Sequence, residues 1–214
     1  MSLNMYDVIV LDCDGVIFDS NLLKVEAFEN ALSTYPKDKV KEFIEFFKNN
    51  FGKSRYYMVR YFIEKCLVES LDEEKYQIIL EKYGQNCISL YTKVSYTFKF
   101  LEFMNYYQKK QIYVASGSDQ DELIHIFKMK NIDNNFIKIL GSPVLKNDLV
   151  YNIVDNHPNE KVVMIGDAYS DYIAANQNAI PFIFMSDYSF VTNKMIELSK
   201  VKEYRVINNL GELL

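Results

Sequence analysis

Two carboxylates separated by one residue and followed at once by glycine make up the most chemically suggestive string in the chain, Asp12-Cys13-Asp14-Gly15-Val16. In extended backbone, residues two apart point to the same side, so both acids can reach one ligand, and Gly15 permits a tight exit from the preceding element. Alone, the string fits a turn at a strand end or a calcium loop equally well. The calcium-loop reading fails because position twelve of such a loop needs a Glu and here holds Leu23. What separates chemistry from a capped strand end is recurrence of reactive groups at other strand ends.

They do recur. Ser116-Gly117-Ser118 follows the apolar run Ile112-Tyr113-Val114-Ala115 and offers a hydroxyl and backbone N–H groups just before a helix expected to open near Asp119. A helix N-terminus of this kind suits an anionic phosphoryl group. Gly166-Asp167, with Asp171 four residues on, follows Val162-Val163-Met164-Ile165. Between these, Gly141-Ser142-Pro143 leads to Lys146, a candidate to neutralise phosphate charge.

The elements that must position these groups are short β-branched runs. Val8-Ile9-Val10-Leu11 reads as a first buried parallel strand, and Phe182-Ile183-Phe184-Met185 joins the two runs already named. Helical patterns lie between them, which implies βαβ units around a parallel sheet, with the ligand site outside the carboxyl ends of the strands. From about Asn21 to Tyr91 no strand is convincing, and apolar residues recur at helical spacing, as in Val40, Phe43, Ile44 and Phe47. Asp72 before Glu73 and Glu74 marks a helix start, and Pro36 and Gly52 mark breaks. The expected fold class is therefore α/β, a Rossmann-like parallel sheet with helices on both faces. Residues 1–20 and 92–214 would form a discontinuous core, and residues 21–91 a helical insertion. No internal repeat or low-complexity linker interrupts this pattern.

Taken in order, Asp12-x-Asp14-Gly15-Val16, Ser116, Lys146 and Gly166-Asp167-x-x-x-Asp171 resemble the four motifs of the haloacid-dehalogenase-like hydrolases. The resemblance covers Asp7 to about Phe184 and is to the phosphatase branch with a small α-helical cap, which includes phosphoglycolate phosphatases and β-phosphoglucomutases. It implies magnesium dependence and phosphoryl transfer through an aspartyl-phosphate. Carried onto this chain, it makes Asp12 the nucleophile, and Asp14 the acid that protonates the leaving oxygen and then the base that activates water. Mg2+ would be held by Asp12, Asp167 and the main-chain carbonyl of Asp14. Asp171 would help through a water on the metal or by fixing Lys146. Lys146, Ser116 and the N–H of Gly117 would clamp the phosphoryl oxygens. Relatives that displace halide carry an aromatic residue where this chain has Asp14, so the resemblance favours phosphate chemistry. Gly52-Lys53-Ser54-Arg55 resembles the Gly-x-x-Arg cap loop of sugar-phosphate and phosphoglycolate relatives, which makes Arg55 the specificity residue. The same string is no nucleotide P-loop, because the glycine required five positions earlier is Phe47.

Composition narrows the partners. With 49% hydrophobic and 25% charged residues and a net charge of -5, the chain has ordinary globular balance and no excess of basic residues for nucleic acid. Its 17 Tyr and 15 Phe therefore read as packing rather than a base-stacking platform. Cys13, Cys66 and Cys87 form no CxxC pair and no zinc set with His125 and His157, which fits a reducing, cytoplasmic setting. The opening Met1-Ser2-Leu3-Asn4 lacks the basic and apolar stretches of a leader, and no run approaches a membrane span.

The expected activity is hydrolysis of a small phosphorylated metabolite, a sugar phosphate or phosphoglycolate-like monoester. A phosphosugar mutase is the alternative, although the family's mutases carry a cap histidine shortly after the first motif, where this chain has Lys24. A non-catalytic binding protein would lack some of the acids, and all four are present. Oligomeric state is not readable from the sequence.

Overall fold

The computed structural model describes residues 3–214. Residues 1 and 2, part of the expected core and of the reading of the chain start, lie outside the described residues.

The chain opens with strand β1 (Val8–Leu11) and then leaves the sheet for four helices: α1 (Asn21–Ala31), α2 (Lys37–Asn49), α3 (Arg55–Tyr61), which runs on into a π-helical turn at Phe62–Cys66, and α4 (Glu73–Tyr91). It returns through α5 (Phe100–Tyr106) to β2 (Gln111–Asp119) and then alternates helix and strand: α6 (Gln120–Met129), β3 (Lys138–Ser142), α7 (Lys146–Asp155), β4 (Val162–Gly166), α8 (Tyr169–Gln177), β5 (Phe182–Met185), α9 (Thr192–Lys202) and β6 (Arg205–Ile207).

The six strands lie in the order β3-β2-β1-β4-β5-β6, and every pairing is parallel. All four residues of β1 are buried, because both faces of the sheet are covered. Ile9 and Leu11 join the apolar cluster that includes Phe100 and Phe103 of α5 and Leu123 and Phe127 of α6. Val8 and Val10 face the opposite cluster, with Leu149 of α7, Ala175 of α8 and Met195 of α9. The chain builds β2 and β3 on one side of β1 and then crosses to β4 on the other, so the topological switch falls at the carboxyl end of β1.

Two strands had no sequence signal. β3 and β6 are the edges of the sheet; Lys138 of β3 is exposed, and β6 is three residues long, so neither has a continuous apolar run. β2 also runs further than Ala115, through Ser116-Gly117-Ser118 to Asp119, and its pairing with β3 shifts register between Ala115 and Asp119.

The helices α1 to α4 fill the stretch from Asn21 to Tyr91 and pack through aromatic rings. The ring of Phe28 stacks on Tyr83 and meets Phe43 and Phe47 edge-on at centroid distances of 5.0 and 4.8 Å. Asp72 is the N-cap of α4, as its sequence context predicts, with its carboxylate accepting from Lys75 N at 2.9 Å. Asp72→Ala is expected to lower stability by about 1 kcal/mol. Urea unfolding checks this, and an unchanged midpoint would deny the cap a role in holding α4.

Candidate active site

Asp12 immediately follows β1, with its backbone N–H donating to Ile165 O at 3.0 Å, so pairing with the neighbouring strand carries the residue to the switch point. Its carboxylate is buried, and Oδ1 accepts from Lys146 Nζ at 2.8 Å. Lys146 opens α7 and donates a second hydrogen bond to Asp171 Oδ1 at 2.5 Å. Asp171, in the first turn of α8, is anchored in turn by Ala168 N, which donates to its Oδ2 at 2.9 Å. Asp171 thus touches Lys146 directly and also stands in one acidic cluster with Asp12 and Asp167.

Asp167, directly beyond β4, accepts from Asn21 Nδ2 at 2.6 Å through Oδ2, while Oδ1 is buried with no hydrogen-bond partner. Ser189 Oγ donates to its main-chain oxygen at 2.5 Å. The carboxylates of Asp12, Asp167 and Asp171 have oxygens within 4.8 Å of one another. Gly15, at φ +79°, makes the turn and also clears space, since a Cβ there would lie 2.2 Å from Asp167 Oδ2.

Asp14 lines the same small chamber as Asp12, and its carboxylate is tied to a different set of groups. Ser20 Oγ donates to Oδ1 at 2.5 Å, Tyr91 OH donates to Oδ1, and Ser118 Oγ donates to Oδ2 at 2.9 Å. Lys24 Nζ stands 3.9 Å from Oδ2 and donates to Ser118 Oγ and to Glu122 Oε1, each at 3.0 Å. Arg55 donates to Glu122 Oε2, lies over the Tyr83 ring and keeps Nε buried without a partner. Sequence reasoning placed Arg55 in this region but missed Ser20, Asn21, Tyr91, Ser118 and Glu122, and saw Lys24 only as a missing histidine. Asn21 and Lys24 carried a faint signal as polar residues one helical turn apart on a buried helix. Tyr91 carried none, because its contact with Asp14 spans 77 positions.

Ser116 is buried, with its Oγ accepting from Ser118 N at 3.1 Å. Gly117 is one point where the helical insertion touches the sheet: a Cβ there would lie 2.2 Å from Gly52 O. Phe51 O accepts from Ser170 Oγ at 3.0 Å, holding the same loop against α8. The chamber beneath has about 30 Å3 open, bounded by Asp12, Asp14, Lys24, Arg55, Ser116 and Gly117. The histidines stand apart: His157 hydrogen-bonds to Tyr113 OH at 2.9 Å, and His125 is exposed on α6.

Charge around Asp12 is unbalanced. Burial, then the nearby charge of Asp171, raises the Asp12 carboxyl from its ordinary 3.8 to about 7, against the opposing pull of Lys146. Burial and the charges of Asp12 and Asp171 push Asp167 well above the usual carboxylate range. For Lys146, burial alone favours the neutral amine, but Asp12 and Asp171 outweigh it and hold the ammonium charged. Three carboxylates, one ammonium and a buried, unpartnered Asp167 oxygen fit a divalent cation with oxygen ligands.

A doubly wound parallel sheet with this acidic cluster at its switch point defines an α/β enzyme-type site. The family model of haloacid dehalogenase-like hydrolases matches residues 9–185, and the chain belongs to that family. No curated protein matches the sequence at a significant level. Among solved structures, the chain is similar to a predicted phosphatase from Clostridium acetobutylicum (TM-score 0.76, 18% identity, 98% of this chain and 97% of that one). It is also similar to a predicted phosphoglycolate phosphatase from Haemophilus somnus (TM-score 0.78, 14% identity, 99% and 98%). A third is CbbY from Rhodobacter sphaeroides in complex with phosphate (TM-score 0.72, 12% identity, 98% and 96%). Among the described residues, no helix is long and apolar enough to cross a membrane.

The raised Asp12 carboxyl has a thermodynamic consequence with a definite sign. Between 3.8 and about 7 the folded chain keeps a proton that the unfolded chain has released, so this group's contribution to stability declines as pH rises through that window. A bound divalent cation opposes the decline by favouring the ionised cluster. In thermal unfolding, a divalent cation added to EDTA-treated protein should raise the midpoint more at about pH 8 than at about pH 5. Asp167→Asn should weaken that response, and a midpoint at pH 8 indifferent to cations would contradict the metal assignment.

Proposed function

We propose that the protein is a magnesium-dependent phosphatase of small phosphorylated metabolites, working through an aspartyl-phosphate on Asp12. The observation that carries this reading is the shared Lys146 ammonium, 2.8 Å from Asp12 and 2.5 Å from Asp171, beside the unpartnered Asp167 oxygen. It provides an oriented carboxylate and one positive charge, with oxygen ligands for more.

In the first half-reaction, an Asp12 oxygen forms a bond to phosphorus as the bond to the leaving oxygen breaks, and Asp14 supplies the proton that oxygen needs. In the second, water attacks phosphorus, Asp14 takes its proton, and the Asp12 carboxylate is released with inorganic phosphate. Asp14 is held for this by Ser20, Tyr91 and Ser118, which restrict both of its oxygens. Lys146, Ser116 and the N–H of Gly117 receive the remaining phosphoryl oxygens. Mg2+ bound by Asp12, Asp167 and the Asp14 carbonyl would reduce repulsion between the carboxylate and the phosphoryl group. Asp171 keeps Lys146 in place.

The helical insertion, residues 21–91, acts in this reading as a cap over the discontinuous core of residues 1–20 and 92–214. Arg55 is its specificity residue: it lines the chamber and has one unsatisfied N–H. The small open volume favours a compact leaving group unless the Gly52 loop moves. A cytoplasmic setting accompanies the reading, supported by three buried cysteines without disulfide partners.

The test is phosphate release from sugar phosphates, phosphoglycolate, nucleotides and an aryl phosphate, with Mg2+ or EDTA, for wild type and Asp12→Asn. Release is expected with Mg2+ only and should vanish in Asp12→Asn, while Lys146→Met should lose about 10²–10³ in rate. Isomerised sugar phosphate without net release would replace hydrolysis by a mutase reaction. Turnover by Asp12→Asn equal to wild type would remove the nucleophile assignment.

A further inference from the structure

Beyond its phosphoryl group, a substrate meets little in the inner chamber except the unpartnered Arg55 Nε. About 30 Å3 is open there, and its deep cations are already matched, Lys24 by Asp14 and Glu122, Arg55 by Glu122. On the far side of the contact between Gly52 and Gly117 lies a depression of about 440 Å3, a size typical of small-molecule sites. It shares Phe51, Gly52, Lys53 and Gly117 with the chamber and is also lined by Lys146, whose Nζ lies 2.8 Å from Asp12.

Its chemistry is of another kind. Tyr57, Val144, Leu145 and Tyr169 present exposed apolar surface to it. Lys53 Nζ sits 4.5 Å from the Tyr57 ring centre and Lys194 Nζ 4.4 Å from that of Tyr169. No carboxylate lines the depression, and among the described residues neither lysine makes an ion pair. In a chain of net charge -5, this is a local positive field over aromatic and aliphatic walls. Such a surface complements a flat apolar body carrying negative charge.

We propose that this depression is a substrate subsite for an aromatic or similarly flat apolar leaving group that bears a second negative charge. The inference rests on the phosphatase reading, with the phosphoryl group at Asp12, Lys146 and Gly117. A substrate of this shape requires Gly52 to move off Gly117, and the hydrogen bond from Ser170 to Phe51 O is part of what holds that loop.

The experiment compares KM and kcat for phosphoglycolate, phenyl phosphate and 4-carboxyphenyl phosphate in wild type, Lys194→Glu and Lys200→Glu. Lys200 lies on the same helix, is exposed and pairs with Glu197, so its variant controls for net charge. Wild type should show a lower KM for 4-carboxyphenyl phosphate than for phenyl phosphate. Lys194→Glu should raise the KM for 4-carboxyphenyl phosphate roughly ten-fold, with kcat and the phosphoglycolate KM within about two-fold. Equal shifts in Lys194→Glu and Lys200→Glu, or no shift in either, would overturn the subsite and leave the phosphatase intact. If no phosphomonoester is turned over, the phosphatase reading fails instead, and calorimetric titration with 4-hydroxybenzoate decides the subsite. Binding weakened by Lys194→Glu supports it, and absent or unchanged binding overturns it.

Discussion

Three buried carboxylates held around one ammonium are the constraint on which the rest of this structure depends. Taking like charges out of water and setting them within 4.8 Å of one another is unfavourable, and Lys146 offsets only part of the cost. The cluster persists because each acid is fixed by a different element. The strand pairing of β1 sets Asp12, Asn21 and Ser189 set Asp167, and the first turn of α8 sets Asp171. A core buried on both faces of the sheet makes those anchors rigid, so the electrostatic strain is carried by packing elsewhere.

The helical insertion contributes to the same arrangement rather than only covering it. Asn21 and Lys24 sit on consecutive turns of α1, and they reach Asp167 and Asp14 respectively. Tyr91, the last residue of α4, reaches Asp14 from the other end of the insertion. Asp14 is thus held from two directions, by Ser118 of β2 and by Lys24 and Tyr91 of the helices, and Asn21 ties Asp167 to the same helices. The aromatic packing of Phe28 against Tyr83 ties α1 to α4 and keeps those polar contacts in register.

How much of this the sequence made legible follows from the range of the signals. Buried central strands such as Val8–Leu11 and Val162–Gly166 are continuous apolar runs, so they and the acids at their ends can be read directly. The edge strands β3 and β6 cannot, because edges admit polar residues and glycine. The irregular end of β2 is illegible for a related reason: Ser116-Gly117-Ser118 has turn composition, and only pairing with β3 extends the strand to Asp119. Within the site, Asp12, Asp14, Asp167 and Asp171 announce themselves by spacing, whereas the pairing of Lys24 and Arg55 through Glu122 joins residues far apart in sequence. No local pattern encodes it, since Lys24 and Glu122 alone read as ordinary solvated helix charges and the string around Arg55 says nothing of an acid partner.

The charges around Asp12 and Asp14 fall into three zones with different consequences. Around Asp12, three acids face one ammonium, and this deficit calls for a cation. Around Asp14, Lys24 and Arg55 balance Asp14 and Glu122, so the zone is near neutral and serves to hold geometry. Outside the Gly52 contact, Lys53 and Lys194 face no acid, which leaves the outer depression positive. In the proposed reaction, a doubly anionic ligand is drawn first to the outer lysines, which stand over apolar walls. Its phosphoryl end would then meet Lys146. Had the balanced and unbalanced zones been exchanged, the deep chamber would have attracted anions with no carboxylate free to act on them. In the proposed reaction, this segregation of charge along a short path is what would let an acidic nucleophile and an anionic ligand occupy adjacent space.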